Sequence, residues 1–308
     1  MIKVFIDGKA GTTGLQIYER LQKREDVQIL SLSEELRKDC SARKDAINSS
    51  DVTFLCLPDD ASREAVTLVE NPATIVIDAS TAHRTAEGWA YGLPELSEEH
   101  RRAIEKAKRI ANPGCHASGF LALVYPLIKL GIAASDYPFV CHSVTGYSGG
   151  GKKMIAEYEA EGRDPLFDAP RAYGLTQNHK HLAEMTFVAG LTRQPIFCPI
   201  VSDFDQGMCV TVPLFTDLLA KKMTLNDVFE AFAEYYVRHK FISVTQNSEN
   251  GYLSANKFKG TNQMEIFVGG NDERVTLCAR FDNLGKGASG AAIQNMNIAL
   301  GLDEGISL

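Results

Sequence analysis

The chain opens with a short apolar run, Lys3-Val4-Phe5-Ile6, which ends at Asp7 and passes straight into Gly8-Lys9-Ala10-Gly11-Thr12-Thr13-Gly14. That glycine spacing, GxxGxxG, constrains the fold more than any other feature. Glycines permit a tight turn from strand to helix. They also let the backbone approach an anion, at which the amides of the following helix point. The spacing is a variant of the dinucleotide fingerprint. It stands where that fingerprint has meaning, after the first strand and at the start of the first helix, Thr13 to Lys23. Gly8, Gly11, Thr12, Thr13 and Gly14 are therefore the expected pyrophosphate contacts.

The first third continues the alternation. Val27 to Ser31, Asp51 to Leu57, Thr74 to Asp78 and Arg109 to Asn112 read as strands, with a helix from Asp60 to Val69. Strands alternating with helices predict right-handed βαβ units and a parallel sheet. An acidic residue closing strand 2 would bind the ribose hydroxyls of NAD. Here the strand runs into Leu30-Ser31-Leu32-Ser33, followed by Arg37 and Lys38. Ser31, Ser33 and Arg37 suit a 2′-phosphate and favour NADP. Glu34 and Glu35 could play the NAD role, and Arg37 and Lys38 equally fit a solvated helix face.

After residue 114 the pattern changes. Phe139 to Thr145, Thr186 to Leu191, Ile196 to Val201, Met208 to Pro213, Met264 to Val268 and Val275 to Phe281 read as strands. One amphipathic helix, Leu225 to Arg238, interrupts them, and a small-residue helix, Gly287 to Gly301, closes the chain. The expected architecture is α/β: a Rossmann-type dinucleotide domain over 1–114, joined by the C-terminal segment 286–308. An α+β domain with a largely antiparallel sheet spans 115–285.

Composition limits the function. A net charge of −7 argues against a general binder of nucleic acid or anionic membrane. The seven cysteines are scattered and form no CxxC pair, which argues against a zinc cage or a disulfide framework. The N-terminus shows no basic segment followed by an apolar one, and no apolar run reaches membrane-spanning length. A reducing cytoplasm is expected.

The chemistry centres on Asn112-Pro113-Gly114-Cys115. A Pro-Gly turn presents Cys115 at the start of an apolar helix, Phe120 to Leu130, where the macrodipole favours the thiolate. His116 adjoins it and is expected to point away along that helix. A thiolate nucleophile needs a proton donor and acceptor. Asn178-His179-Lys180-His181-Leu182-Ala183-Glu184 offers two histidines ahead of an apolar strand, and no third metal ligand with matching spacing. Thr145 to Lys153 is a glycine loop ending in two lysines, suited to a phosphoryl group; Ser148 is assigned there to substrate and Gly149 to cofactor. Asp282 to Gly290 is a second glycine-rich segment, with Asn283 and Gly287 expected near the nicotinamide.

Taken together these segments resemble N-acetyl-gamma-glutamyl-phosphate reductases of the shorter form, over nearly the whole chain. The strings Tyr91-Gly92-Leu93-Pro94-Glu95-Leu96 and Asp282 to Asn297 carry the resemblance most specifically. The family shares its architecture with aspartate-semialdehyde dehydrogenase and, more distantly, glyceraldehyde-3-phosphate dehydrogenase. The resemblance implies Cys115 as nucleophile and His181 as acid/base, with His179 as the second choice and as a substrate contact. It implies Arg84 as a substrate-binding arginine. It further implies NADPH-dependent reduction of N-acetyl-L-glutamyl 5-phosphate through a Cys115 thioester, in arginine biosynthesis, by a homo-oligomer built through the second domain's sheet. The longer family form has Asp-Phe before the arginine and Tyr after the cysteine, where this chain has Ala82-His83 and His116. Three other readings stand beside this one. They are the same chemistry on an aspartyl or aminoadipyl phosphate, a cofactor-free thiol hydrolase, and an NADP-binding redox regulator that oxidises Cys115.

Overall fold

Short apolar strands alternating with capped helices cannot bury their apolar faces except by stacking into a sheet covered on both sides. The computed structural model, which describes residues 1–308, does this in the first of its two units, Met1–Gly114 with Ala288–Leu308. Its elements are β1 (Ile2–Asp7), α1 (Thr12–Leu21), β2 (Val27–Leu30), α2 (Cys40–Asn48), β3 (Val52–Leu55) and α3 (Asp59–Thr67). They continue as β4 (Ile75–Asp78), β5 (Ala90–Tyr91), α4 (Glu98–Lys106) and β6 (Arg109–Ala111). All pairings are parallel, in the order β2-β1-β3-β4-β6-β5. Val4, Ile6, Phe54 and Ile77 pack on one face with Ile17, Ile104 and residues Ile293 and Met296 of the C-terminal helix (Gly290–Ala299). Leu55 and Val76 cover the other face with Ala65 of α3.

The second unit, Cys115–Gly287, is built on a seven-stranded sheet. Its elements are α5 (Cys115–Lys129), β7 (Val140–Gly146), α6 (Gly151–Glu159), β8 (Arg171–Ala172), α7 (His181–Val188), β9 (Ile196–Ser202), β10 (Met208–Phe215), α8 (Leu225–Tyr236), β11 (Ile242–Thr245), β12 (Met264–Gly270) and β13 (Arg274–Phe281). The order is β11-β12-β13-β10-β7-β9-β8. Four pairings are antiparallel, while β11–β12 and β7–β9 are parallel. The apolar helix α5 lies on one face, against β10 and β13.

Three expectations are corrected. Thr186 to Leu191 is not a strand: its first half is the end of α7, because Leu182, Met185 and Ala189 are buried at helical spacing while Phe187 is 67% exposed. Thr186 fits the helix by donating its hydroxyl to the Leu182 carbonyl at 2.7 Å. The unit therefore has helices, α6 and α7, beyond the two expected at Phe120 to Leu130 and Leu225 to Arg238. The Thr145 to Lys153 loop is itself the end of β7, a short turn and the start of α6.

Two local devices show how sequence dictates these elements. Gly8 has φ +85°, and a Cβ there would collide with the Cys56 carbonyl oxygen; a Cβ on Gly14 would lie 2.6 Å from the Gly8 carbonyl oxygen. Only glycine closes this turn. In α5, Pro126 has no amide proton, so the Ala122 carbonyl loses its helical partner. The buried Tyr236 hydroxyl of α8 donates to it at 2.8 Å. Tyr236→Phe is therefore expected to lower the unfolding free energy by about 1–2 kcal/mol, read as a shifted urea midpoint, because it leaves a buried carbonyl unpaired.

Candidate active site

The residue before the Pro-Gly turn is held at every polar atom, within the first unit. The Asn112 amide donates to the Asp78 carbonyl at 2.8 Å, and its carbonyl accepts from Arg84 Nε at 2.9 Å. Its Nδ2 donates to the Ala288 carbonyl at 2.9 Å, and its Oδ1 accepts from Asn295 Nδ2 at 3.1 Å. Arg84 also donates to the Ala79 carbonyl at 3.1 Å. Two of its five donors thus hold backbone. Next to it, His83 bonds Asp78 through Nδ1 at 2.6 Å and stacks on Trp89 with ring centroids 4.1 Å apart.

Cys115 is the first residue of α5 and is half-buried. A Cβ on Gly287 would lie 2.9 Å from Cys115 Cβ, so glycine there leaves room for the thiol. Two of the other cysteines are held as thiols. Burial, then the charges of Asp78 and Asp7, push the Cys56 thiol up to about 12, and burial raises Cys141 as well.

A ring cluster surrounds the next residue. His116 does not point away along α5 as expected; it is buried, and its centroid lies 5.8 Å from His179, 5.5 Å from His181 and 5.2 Å from Phe197. Because α5 is apolar on nearly all sides, a ring at its second position turns inward. Its Nδ1 is 2.7 Å from Ser143 Oγ of β7 and its Nε2 is 2.7 Å from Tyr173 Oη. Burial, with the nearby His179 charge, drops its pKa to about 3, so the ring is neutral. Burial chiefly, and then the Cys115 charge, raises the Tyr173 phenol well above its ordinary value. The hydroxyl is thus protonated and within electrostatic reach of the thiol. His179 and His181 pack at 4.7 Å. The His181 amide donates to His179 Nδ1 at 3.2 Å, which leaves Nε2 of neutral His179 as the protonated nitrogen. His181 is buried at the first residue of α7, whereas His179 is partly exposed.

In the first unit a cavity of about 490 Å³ opens beside the glycine turn, lined among others by Gly8, Lys9, Ser31, Glu34, Arg37 and Lys38. Three cations and a backbone cradle that tolerates no Cβ suit a phosphate-rich dinucleotide. Arg37 is paired with Glu34 at 3.0 Å on the surface, an interaction of small net worth. Lys9, which the sequence pattern did not single out, lies 3.2 Å from the centre of the Tyr18 ring. Ser33 sits one step further along; its carbonyl accepts the Arg37 amide at 3.0 Å. Gly11, Thr12, Thr13 and Gly14 form the turn and first residues of α1.

Two expectations in the second unit change. Ser148 is buried, and its only proton goes to the Asp205 carbonyl at 2.6 Å while it accepts from Asn283 Nδ2 at 3.1 Å. It braces the end of β7 instead of facing a substrate. Lys152 and Lys153 are exposed, Lys153 being 3.8 Å from Glu157, so these lysines do not line an anion cradle. Asn283 ties Ser148 to the Gly207 amide, which it accepts at 2.8 Å, and a Cβ on Gly149 would lie 3.3 Å from its Nδ2. Tyr173 escaped the sequence reading altogether, because nothing in its own neighbourhood marks it.

Residues 3–104 match the family model described as semialdehyde dehydrogenase, NAD binding domain, and residues 115–283 match semialdehyde dehydrogenase, dimerisation domain. Among similar proteins, N-acetyl-gamma-glutamyl-phosphate reductase 2 of Nostoc sp. is 46% identical, with 99% of each chain covered. The N-acetyl-gamma-glutamyl-phosphate reductase of Chelativorans sp. is 45% identical over 97% of this chain and 98% of its own. Among solved structures, aspartate semialdehyde dehydrogenase II of Vibrio cholerae, complexed with ASA, shares the fold at TM-score 0.72 and 15% identity, covering 97% of this chain and 98% of that one.

The neutral, buried His116 has a consequence for acid stability. Above its ordinary value of 6.5 neither state binds a proton there. As pH falls from 6.5 toward about 3, only the unfolded chain takes one, so the native state loses stability by up to about 1.4 kcal/mol per pH unit from this group. His116→Gln is expected to flatten the pH dependence of denaturant midpoints between pH 6 and 4 relative to the parent.

Proposed function

Because this chain belongs to the N-acetyl-gamma-glutamyl-phosphate reductase family of semialdehyde dehydrogenases, we propose that it reduces N-acetyl-L-glutamyl 5-phosphate to N-acetyl-L-glutamate 5-semialdehyde and phosphate, at the expense of NADPH, as a step of arginine biosynthesis. One observation carries the reading. A half-buried cysteine opens α5, and the residue beside it packs against His179 and His181.

In this mechanism the Cys115 thiolate attacks the acyl carbon. The carbon–sulfur bond forms as the acyl–phosphate bond breaks, and phosphate departs with the electron pair. Amides at the N-terminus of α5 stabilise the oxyanion. The chain is left acylated at Cys115 as a thioester, whose carbonyl is far more electrophilic than a carboxylate. The reduced nicotinamide, when bound, supplies the hydride. His181 gives a proton to the oxygen of the resulting thiohemiacetal and takes it back as the carbon–sulfur bond breaks. That releases the aldehyde and restores the thiolate. The net reaction consumes one proton from solvent, which leaves on the phosphate.

Gly8, Gly11, Thr12, Thr13 and Gly14 would hold the pyrophosphate, and Ser31, Ser33 and Arg37 the 2′-phosphate of NADP. Gly149, Asn283 and Gly287 would serve the nicotinamide end. Arg84 and His179 are assigned to the substrate. The division into a dinucleotide domain and a catalytic, oligomerising domain belongs to the same proposal. It is supported by the open sheet face of the second unit. Ile196 and Phe215 are each 57% exposed and Cys198 is exposed on the side away from α5, a surface suited to a second copy of the chain. No helix is long and apolar enough to cross a membrane. The free cysteines fit a reducing cytoplasm.

Run in reverse with N-acetylglutamate semialdehyde, phosphate and NADP, the protein is expected to form NADPH in a phosphate-dependent way, and Cys115→Ala to abolish it. His181→Asn should cost roughly 10²–10⁴ in turnover. A larger loss in His179→Asn would exchange the two roles, and a preference for aspartate or aminoadipate semialdehyde would keep the chemistry but change the substrate. For the cofactor, Arg37→Ala is expected to raise the KM for NADPH about tenfold and leave that for NADH nearly unchanged, as befits a lost charge-assisted phosphate contact. Equal effects on both would assign the pocket to NAD.

A further inference from the structure

The contacts Ser143–His116–Tyr173 form one series with His116, the residue after Cys115 on α5, at its centre, and its three members come from β7, α5 and the segment between β8 and α7. We infer that His116 is a positioning residue for the nucleophile: anchored at Nδ1 by Ser143, it holds the Tyr173 hydroxyl through Nε2 so that the phenol donates a hydrogen bond toward the Cys115 thiolate. The inference rests on the reading of Cys115 as the nucleophile.

The direction of the chain follows from chemistry. Two orientations satisfy both 2.7 Å contacts. In one, Tyr173 donates to His116, and the phenol can only accept from a thiol. In the other, Ser143 donates to Nδ1, Nε2–H donates to the phenol oxygen, and the phenol proton is free for an anion. The first orientation would make His116 the sink for the thiol proton. A ring whose pKa lies near 3 cannot hold that proton at neutral pH. The second orientation aligns every dipole with a thiolate, and burial strengthens such an aligned series. Ser143 is wholly buried, so its hydroxyl has no competing water, and Phe197 walls the ring of His116. Acid–base work is left to His179 and His181, and His116 serves only to orient.

Other charged or titratable groups stand around His116 or flank Gly287, whose absent Cβ would meet Cys115. Tyr173 and His179 come from the segment before α7, His181 from α7, and His116 from α5 itself. The turn at Gly287 carries Asp282 and Lys286. The Asp282 carboxylate accepts the amides of Gly260, Leu284 and Gly285, and Lys286 lies 5.8 Å from the Phe241 ring centre. None of these is altered by the substitutions below except where named.

The test reads the thiol directly and needs no substrate. Iodoacetamide alkylation of the peptide bearing Cys115 would be followed against pH, with thiolate absorbance near ~240 nm as a parallel signal. Tyr173→Phe keeps the ring and removes the hydroxyl. It should raise the midpoint by about one pH unit and slow alkylation at neutral pH about tenfold. His116→Phe should do the same, and the double variant no more than either alone, since both act through one hydrogen bond. His116→Gln, whose amide can still donate to the phenol, should recover most of the parent midpoint. Parent midpoints in both Tyr173→Phe and His116→Phe would overturn the inference, as would additive effects in the double variant. An ordinary thiol midpoint in the parent protein would instead count against the nucleophile reading itself, so the two failures are distinguishable.

Discussion

The chain reaches its thiol through Asn112, and that one side chain constrains everything that follows. All four of its polar groups are taken: by the Asp78 carbonyl, by Arg84, by the Ala288 carbonyl and by Asn295. A residue so held has a fixed backbone direction, and Pro113 limits the next φ. Cys115, three residues further on, opens α5. Two of the partners of Asn112, Ala288 and Asn295, lie in one of the strings that carry the family resemblance. Asn295 also donates to the Gly92 carbonyl at 2.9 Å, and Gln294 donates to Glu95 at 2.8 Å. Those strings are distant in sequence, and in space they form one buried polar lattice. Such a lattice specifies a unique arrangement because a partly satisfied one would be costly.

Electrostatics divides the labour between the two units. An acidic chain that handles anions must gather its cations, and the first unit does so at the glycine turn, with Lys9, Arg37 and Lys38 around one cavity. The second unit works the other way. Next to Cys115 it places His116, a ring stripped of its basicity by burial and hydrogen-bonded to the hydroxyls of Ser143 and Tyr173. Removing charge from a ring next to the nucleophile is as much a chemical choice as adding one.

Much of this was legible in the sequence. The GxxGxxG turn, the alternating strands of the first unit and the helix start at Cys115 depend on neighbours within a few residues, so propensity and turn chemistry reveal them. Thr186 to Leu191 misled, because threonine, phenylalanine and valine in a row look like a strand; the buried spacing of Leu182, Met185 and Ala189 overrides that local preference. Ser148 misled for another reason. A serine in a glycine-rich segment looks ligand-facing until the Asp205 carbonyl, 57 residues away, is seen to take its proton.

The sequence by itself determined a parallel dinucleotide-type sheet, a second unit with a largely antiparallel one, and a cysteine at the mouth of an apolar helix, since each is written in local periodicity and turn residues. Tertiary structure alone decided what surrounds that cysteine. His116 turns inward because α5 packs on β10 and β13, and it meets Ser143, 27 residues away, and Tyr173, 57 residues away, only where β7 and the segment after β8 come together. Hydrogen bonds between groups so far apart in the chain leave no periodic trace, because they are set by how whole elements pack and not by the residues beside them.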